Sequence, residues 1–169
     1  MHKVTHICKL STLVLVLALA TSCASKKTAT DKNADGNAPS IDNSAMNFDT
    51  AGSDSGKIDG LETIHFSYDK AAISDTDKKK IQGNVNWLNA HAHVNLQIEG
   101  HCDAKGSIEY NLALGERRAN AVKDYMTSLG VAANRLSIIS YGKERPVATG
   151  DSDAAYAKNR RANFVPLAQ

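Results

Sequence analysis

The chain lacks any long hydrophobic run. Its most apolar stretch, residues 10–20 (LSTLVLVLALA), falls short of the roughly 20 residues that cross a bilayer, which excludes a spanning helix there. It also lacks a surplus of either charge. Twenty basic residues stand against 18 acidic ones, and residues 1–22 hold Lys3 and Lys9 but no acid, so the remainder carries 18 of each. A balanced chain has no strong electrostatic reason to bind nucleic acid or an anionic membrane surface, and its partner must be recognised by local geometry. Cysteine is scarce too. Of its three cysteines, Cys8 and Cys23 belong to an N-terminal segment read apart from the domain, so Cys102 has no partner for an intramolecular disulfide. The domain must then be held by its core, even in an oxidising compartment. There is no internal repeat.

What is present begins with an address. His2, Lys3, His6 and Lys9 make a modestly basic start, the apolar run comes next, and Ala20-Thr21-Ser22-Cys23 closes it. This pattern reads as a signal peptide over residues 1–22. Small residues before a cysteine resemble the bacterial lipobox, although Ala20 stands where Leu, Val or Ile is usual. The resemblance implies that Cys23 is acylated and becomes the new N-terminus. Each buried CH₂ then contributes about 0.8 kcal/mol, and several chains together anchor firmly. Ala24 follows in place of the Asp that retains such lipoproteins in the inner membrane, which favours the outer membrane. Residues 23–60, rich in Ser, Thr, Asn, Asp, Gly, Ala and Lys, read as a flexible linker without apolar periodicity.

Regular patterning begins near Leu61 and defines a domain over residues 61–169. Ile64 and Phe66 alternate within a half-buried strand at residues 62–67. Ser74 or Asp75 caps a helix whose buried stripe is Ile81, Val85 and Leu88. Residues 94–100 alternate cleanly as a second strand. A second helix spans about 109–129, with Leu114, Val122 and Met126 inward and Gly130 just past its end. Leu136, Ile138 and Ile139 mark a third strand, and residues 163–167 supply a fourth, with Pro166 requiring an edge or a terminus. The order β-α-β-α-β, a connection, then β predicts an α+β two-layer sandwich, both helices on one face of a mixed four-stranded sheet.

The chemistry sits between the second strand and the second helix. If the strand runs on, His101 and Asp103 face one way and Cys102 the other, as a buried apolar residue. A short loop then places Asp103 beside the helix start, and Arg118, two turns into the helix, reaches back toward it. The two frame a shallow pocket, one acid and one base with exposed tips, unless they simply bridge each other. Asn111 suits a helix cap as well as a ligand group. Neighbouring strand residues point apart, so His101 and Cys102 are not a metal pair, and His91 and His93 lie in a solvated loop. Asn159-Arg160-Arg161 lacks interleaved aromatics and reads as a surface or partner-facing run rather than an RNA site.

Gly100-His101-Cys102-Asp103, Tyr110-Asn111, Leu114-Gly115 and Arg118-Ala119 resemble the OmpA-like peptidoglycan-binding domain, in particular that of the peptidoglycan-associated lipoproteins. The likeness continues through Ser140-Tyr141-Gly142-Lys143-Glu144-Arg145-Pro146, Lys158-Asn159-Arg160-Arg161 and the front segment Ile64-His65-Phe66-Ser67-Tyr68-Asp69, covering roughly residues 61–166. It implies that Asp103 and Arg118 hold the diaminopimelate of the peptidoglycan stem peptide. Asp103 would accept from the ammonium, and Arg118 would take the carboxylate with a two-pronged hydrogen bond. Tyr68, Asp69 and Leu114 would be walls, with Asn111 beside the carboxylate. The implied role is a non-catalytic, cofactor-free tether in the periplasm of a Gram-negative bacterium, joining outer membrane to cell wall. The implied partners are TolB and the Tol system, with a part in envelope integrity and cell division. The alternative, a peptidoglycan-modifying hydrolase, needs a zinc cluster, a carboxylate pair or an activated nucleophile, and no such constellation is evident. A stator or porin anchor within the same fold is disfavoured by the missing transmembrane helix or barrel strands.

Overall fold

A computed structural model describes residues 51–168. The expected signal peptide, Cys23 and most of the expected linker lie outside these residues. The elements are β1 (Ile64–His65), α1 (Asp75–Ala90), β2 (Val94–His101), α2 (Ile108–Ser128), β3 (Leu136–Gly142), α3 (Asp153–Asn159) and β4 (Arg161–Ala168), with short 3-10 turns at Ser53–Ser55 and Ala133–Arg135. The sheet order is β1-β4-β2-β3. β2 runs parallel to β3 and antiparallel to β4, so the sheet is mixed as expected.

Each helix starts at a serine. Ser74, Ser107 and Ser152 accept from the backbone N–H of Asp77, Tyr110 and Ala155, satisfying donors that the first turn leaves orphaned. Ile81, Val85 and Leu88 of α1 and Ala119, Val122 and Met126 of α2 pack on Ile64, Leu96, Ile98, Leu136 and Phe164 of the sheet. Both helices therefore cover one face. Burying a side chain of this size contributes about 1.5–3 kcal/mol, so this apolar layer is what offsets the missing disulfide.

The expected first strand is cut short, and one side chain explains it. Asn84 of α1 accepts from the Glu62 N–H at 2.8 Å and donates to the Glu62 carbonyl at 2.7 Å. Glu62 is thereby withdrawn from the sheet, and β1 pairs only at Ile64 and His65. The Ser53 hydroxyl takes over the next position on β4, accepting from Phe164 N–H at 3.1 Å. Residues 53–58 thus pack with the domain, ahead of the expected boundary at residue 61. Ser53 also donates to the Asn163 amide oxygen, Asp54 pairs with Arg161, and Ile58 packs against the core. Beyond β1 the outer side of β4 is an open edge, which is where Pro166 sits.

A second departure is α3, a helix in the stretch read only as a connection. Its seven residues carry little apolar periodicity, and its placement depends on tertiary bonds. Asn159 takes the Val147 and Ala148 N–H groups and returns a bond to the Ala148 carbonyl.

Gly100 and Gly115 set how closely α2 lies on the sheet. A Cβ on Gly100 would overlap the Gly115 carbonyl, and one on Gly115 would crowd Ser140 and the Gly100 carbonyl. The backbones of α2 and β2 touch there because neither residue has a side chain. That contact fixes Arg118, one turn further along α2, beneath the end of β2.

Candidate binding site

Beyond that glycine contact β2 ends, its register shifting between Gly100 and His101. Two loops leave the sheet side by side, one after β1 (residues 66–70) and one after β2 (residues 102–106). Between them lies a cavity of about 180 Å³ lined by Tyr68, Asp69, Asp103, Asn111, Leu114 and Arg118, together with Cys102, Lys105, Gly106 and Tyr110. All six side chains singled out as ligand-binding in the sequence face this one cavity.

The arrangement of charge differs from the expectation. Arg118 is fully buried rather than exposed at its tip. Its Nε donates to the Lys70 carbonyl at 2.8 Å, and its Nη1 to the His101 carbonyl at 2.8 Å and the Cys102 sulfur at 3.4 Å. Its Nη2 donates to the Ser67 carbonyl at 3.2 Å. An arginine has five N–H donors, so a single Nη2 hydrogen is left for a ligand. A two-pronged grip from this guanidinium is not available in this arrangement. Burial also lowers its pKa, against the pull of Cys102 and Asp103. The cationic side chain lies 5.0 Å above the Phe66 ring.

Asp103 is equally buried, and its partner is not Arg118. Its Oδ2 accepts from Arg160 Nη1 at 3.1 Å, and its Oδ1 accepts from the Lys105 N–H at 3.2 Å. Each oxygen keeps a lone pair for an incoming donor. Arg160 closes the end of α3 and also donates to the Phe66 carbonyl at 3.1 Å. The run Asn159-Arg160-Arg161 therefore points inward and is consumed in structure, contrary to its reading as a surface run. Sequence reasoning missed the lining residues Cys102, Lys105, Gly106 and Tyr110, and it missed Arg160, which holds Asp103 from behind the cavity. The available signal for Arg160 was its place directly before the last strand, where the chain must pass the ends of its sheet neighbours.

Asp69 adopts a left-handed backbone with φ of 55°, which a non-glycine residue adopts at a cost. Its carboxylate accepts a short bond from the Tyr110 hydroxyl, which raises the Tyr110 pKa. The front loop is thus tied to the first turn of α2 at the cavity mouth. Asn111 is neither a cap nor a free donor, since Ser107 caps α2. Its amide nitrogen donates to the carbonyls of Lys105 at 2.8 Å and Ser107 at 2.9 Å, bracing the 102–106 loop. The Lys105 ammonium sits 4.6 Å from the Tyr156 ring centre and 5.4 Å from that of Tyr68, at the rim.

Cys102 lines the cavity instead of facing away from it. It shares the α2 side of the sheet with Ile98 and Gly100, and its thiol donates to the Asn111 carbonyl at 3.3 Å. Burial raises its pKa. His101 points to the opposite side of the sheet. Its Nε2 lies 3.3 Å from Glu99, and its ring stacks on Tyr141. His91, expected in a solvated loop, bonds through Nδ1 to the Trp87 carbonyl at 2.7 Å and stacks on the Trp87 ring.

The OmpA family profile matches residues 65–160, which span β1 to the end of α3. The peptidoglycan-associated lipoprotein of Mesorhizobium japonicum is 41% identical over 153 residues, covering 89% of this chain and 86% of that one. That of Pseudomonas aeruginosa is 36% identical over 166 residues, covering 92% and 95%. Among solved structures, the peptidoglycan-associated lipoprotein from Burkholderia pseudomallei superposes with a TM-score of 0.60 at 37% identity, covering 62% of this chain and 89% of that one. The chain belongs to the OmpA family, among its peptidoglycan-associated lipoproteins.

Proposed function

We propose that this protein binds peptidoglycan without cutting it, taking the free amino-acid end of a stem-peptide diaminopimelate into the cavity between the two loops. One observation carries the reading. A buried acid and a buried base line the same small cavity, each with bonding capacity to spare. That pair matches a group carrying an ammonium beside a carboxylate and disfavours simple ions. Asp103, with both oxygens already oriented, accepts from the ammonium. Arg118 contributes its one uncommitted N–H and the field of a desolvated positive charge to the carboxylate. Asp69 and Tyr68 form the front wall, Leu114 the apolar floor, and Asn111 holds the rear loop in place. The relatives from Mesorhizobium japonicum and Pseudomonas aeruginosa are called peptidoglycan-associated lipoproteins, which agrees with this ligand.

Cys23 carries lipid in the same proposal, so that the domain hangs from the outer membrane into the periplasm and ties that membrane to the wall. TolB of the Tol system is the protein partner, approaching the face around the cavity, with consequences for envelope integrity and division. Loss of radiolabelled palmitate in Cys23→Ala is the expected result for the anchor, and persistent labelling would remove it from the proposal.

Sedimentation with purified sacculi tests the binding. The wild type is expected in the pellet, and Asp103→Asn, isosteric but neutral, is expected to lose about ten- to a hundredfold in affinity, the worth of a charge-assisted hydrogen bond. Undiminished binding by the Asn variant would remove Asp103 from the site. Release of soluble muropeptides from the sacculi would replace the tether with the hydrolase.

A further inference from the structure

Two arginines, far apart in sequence, join the same pair of loops. Arg118 does so at the base of the cavity, through the carbonyls of Ser67 and Lys70 on one loop and His101 at the end of β2. Arg160 does so beside it, through the Phe66 carbonyl and the Asp103 carboxylate. Its own backbone adds to the hold, because the Phe66 N–H donates to the Arg160 carbonyl at 2.8 Å. Arg160 does not line the cavity.

We propose that Arg160 is a positioning residue of the binding site: it aims the Asp103 carboxylate and spaces the two loops, and thereby sets the preference for a ligand end that bears an ammonium. This inference rests on the reading of the cavity as a diaminopimelate site and adds the origin of its selectivity.

Two opposing effects decide the sign. Arg160 neutralises part of the Asp103 charge, so its removal alone would strengthen the attraction for a cation. Asp103 is only 4% exposed, however, and a carboxylate buried to that degree without its cation is strongly disfavoured. It must turn toward solvent, and that change spoils its aim at the ammonium. The second effect is the larger because burial removes the water that would otherwise compensate. Lysine is not an adequate replacement. Its ammonium is a compact point charge and lacks the planar fork that spans the Phe66 carbonyl and the Asp103 oxygen together.

The experiment measures binding of the full chain to three tripeptides, L-Ala-D-Glu-X. The variable X is diaminopimelate, 2-aminopimelate (the same carboxylate end without the ammonium) or lysine (the ammonium without the carboxylate). Wild type is expected to favour the diaminopimelate peptide over the 2-aminopimelate peptide by roughly tenfold or more, in line with one charge-assisted hydrogen bond. Arg160→Gln is expected to bring that ratio close to one while still discriminating against the lysine peptide, which reports on the Arg118 half. Arg160→Lys, checked alongside for folding by thermal denaturation, is expected to fall between. A folded Arg160 variant that keeps the full wild-type ratio would overturn the positioning role and leave the site intact. A wild type without preference for the diaminopimelate peptide would overturn the site reading, and this inference with it.

Discussion

The Asp103 carboxylate pairs with Arg160 at 3.1 Å, and among the described residues no hydrogen bond joins it to Arg118 on the other side of the same cavity. The acid and the base, read as framing the pocket unless they bridged each other, are thus held separately. Arg118 is held by backbone carbonyls, Asp103 by a second arginine and a backbone N–H. A pair that bridged itself would have its charges cancelled. Held apart, both groups keep a site for a zwitterion.

Arg118 is therefore a structural residue as much as a binding one. Arg118→Ala would leave the buried His101 carbonyl without this donor, at about 1–3 kcal/mol, and the part-buried carbonyls of Ser67 and Lys70 at less, since water can reach them. We expect a total loss of about 2 kcal/mol or more in urea unfolding, so lost sacculus binding in this variant reports on folding as well as contact. A loss below about 1 kcal/mol would mean that the loops hold themselves.

Stability should rise with pH on the acid side of neutrality. Burial lowers the His101 pKa, outweighing its bond to Glu99, so the folded state prefers the neutral ring. The unfolded chain then binds more protons, and the contribution is full above the ordinary histidine value of about 6.5 and is lost as pH falls below it. Glu99 acts in the same direction at lower pH. Burial raises its pKa, but bonds from His101 and Asn163 prevail and lower it, so its contribution fades as the carboxylate protonates. Melting temperatures measured between about pH 4 and 8 should climb, and His101→Gln should flatten the upper part of the rise. A wild-type profile that is flat across this range would contradict the burial of a neutral ring.

Gly100→Ala tests whether backbone contact places the arginine. The added methyl meets the Gly115 carbonyl, part of a helix that cannot yield locally. Overpacking of this kind costs about 1–3 kcal/mol, occasionally more. The variant should melt earlier and, even where folded, bind sacculi more weakly because α2 is displaced. Unchanged stability would show that α2 has room to shift.

Much of the fold was legible in the sequence because it rests on local periodicity. Ile81, Val85 and Leu88 recur at helical spacing, residues 94–100 alternate as a half-buried strand, and Ser74 precedes the first helix. Motif resemblance singled out Tyr68, Asp69, Asp103, Asn111, Leu114 and Arg118, and these residues line one cavity. Their bonding was not legible. Cys102 was assigned the wrong side because the pocket was placed on the face of His101, whereas it lies on the α2 side with Ile98 and Gly100. The front strand was drawn too long because nothing local announces that Asn84 will capture Glu62. The turn at Ser53–Ser55 looked like linker because its bonds go to Asn163 and Phe164, more than a hundred residues away.

By itself, then, the sequence determined the balance of charge, the course of the amphipathic helices and strands, and which residue types converge on one loop and one helix. Only the tertiary structure decided which cation each acid meets. Periodicity is set by the geometry of one segment against a layer, and a chain carries it locally. The choice of a salt-bridge partner depends on side chains from three segments arriving at one point, and α3 delivers Arg160 to Asp103 across a sequence separation of 57 residues.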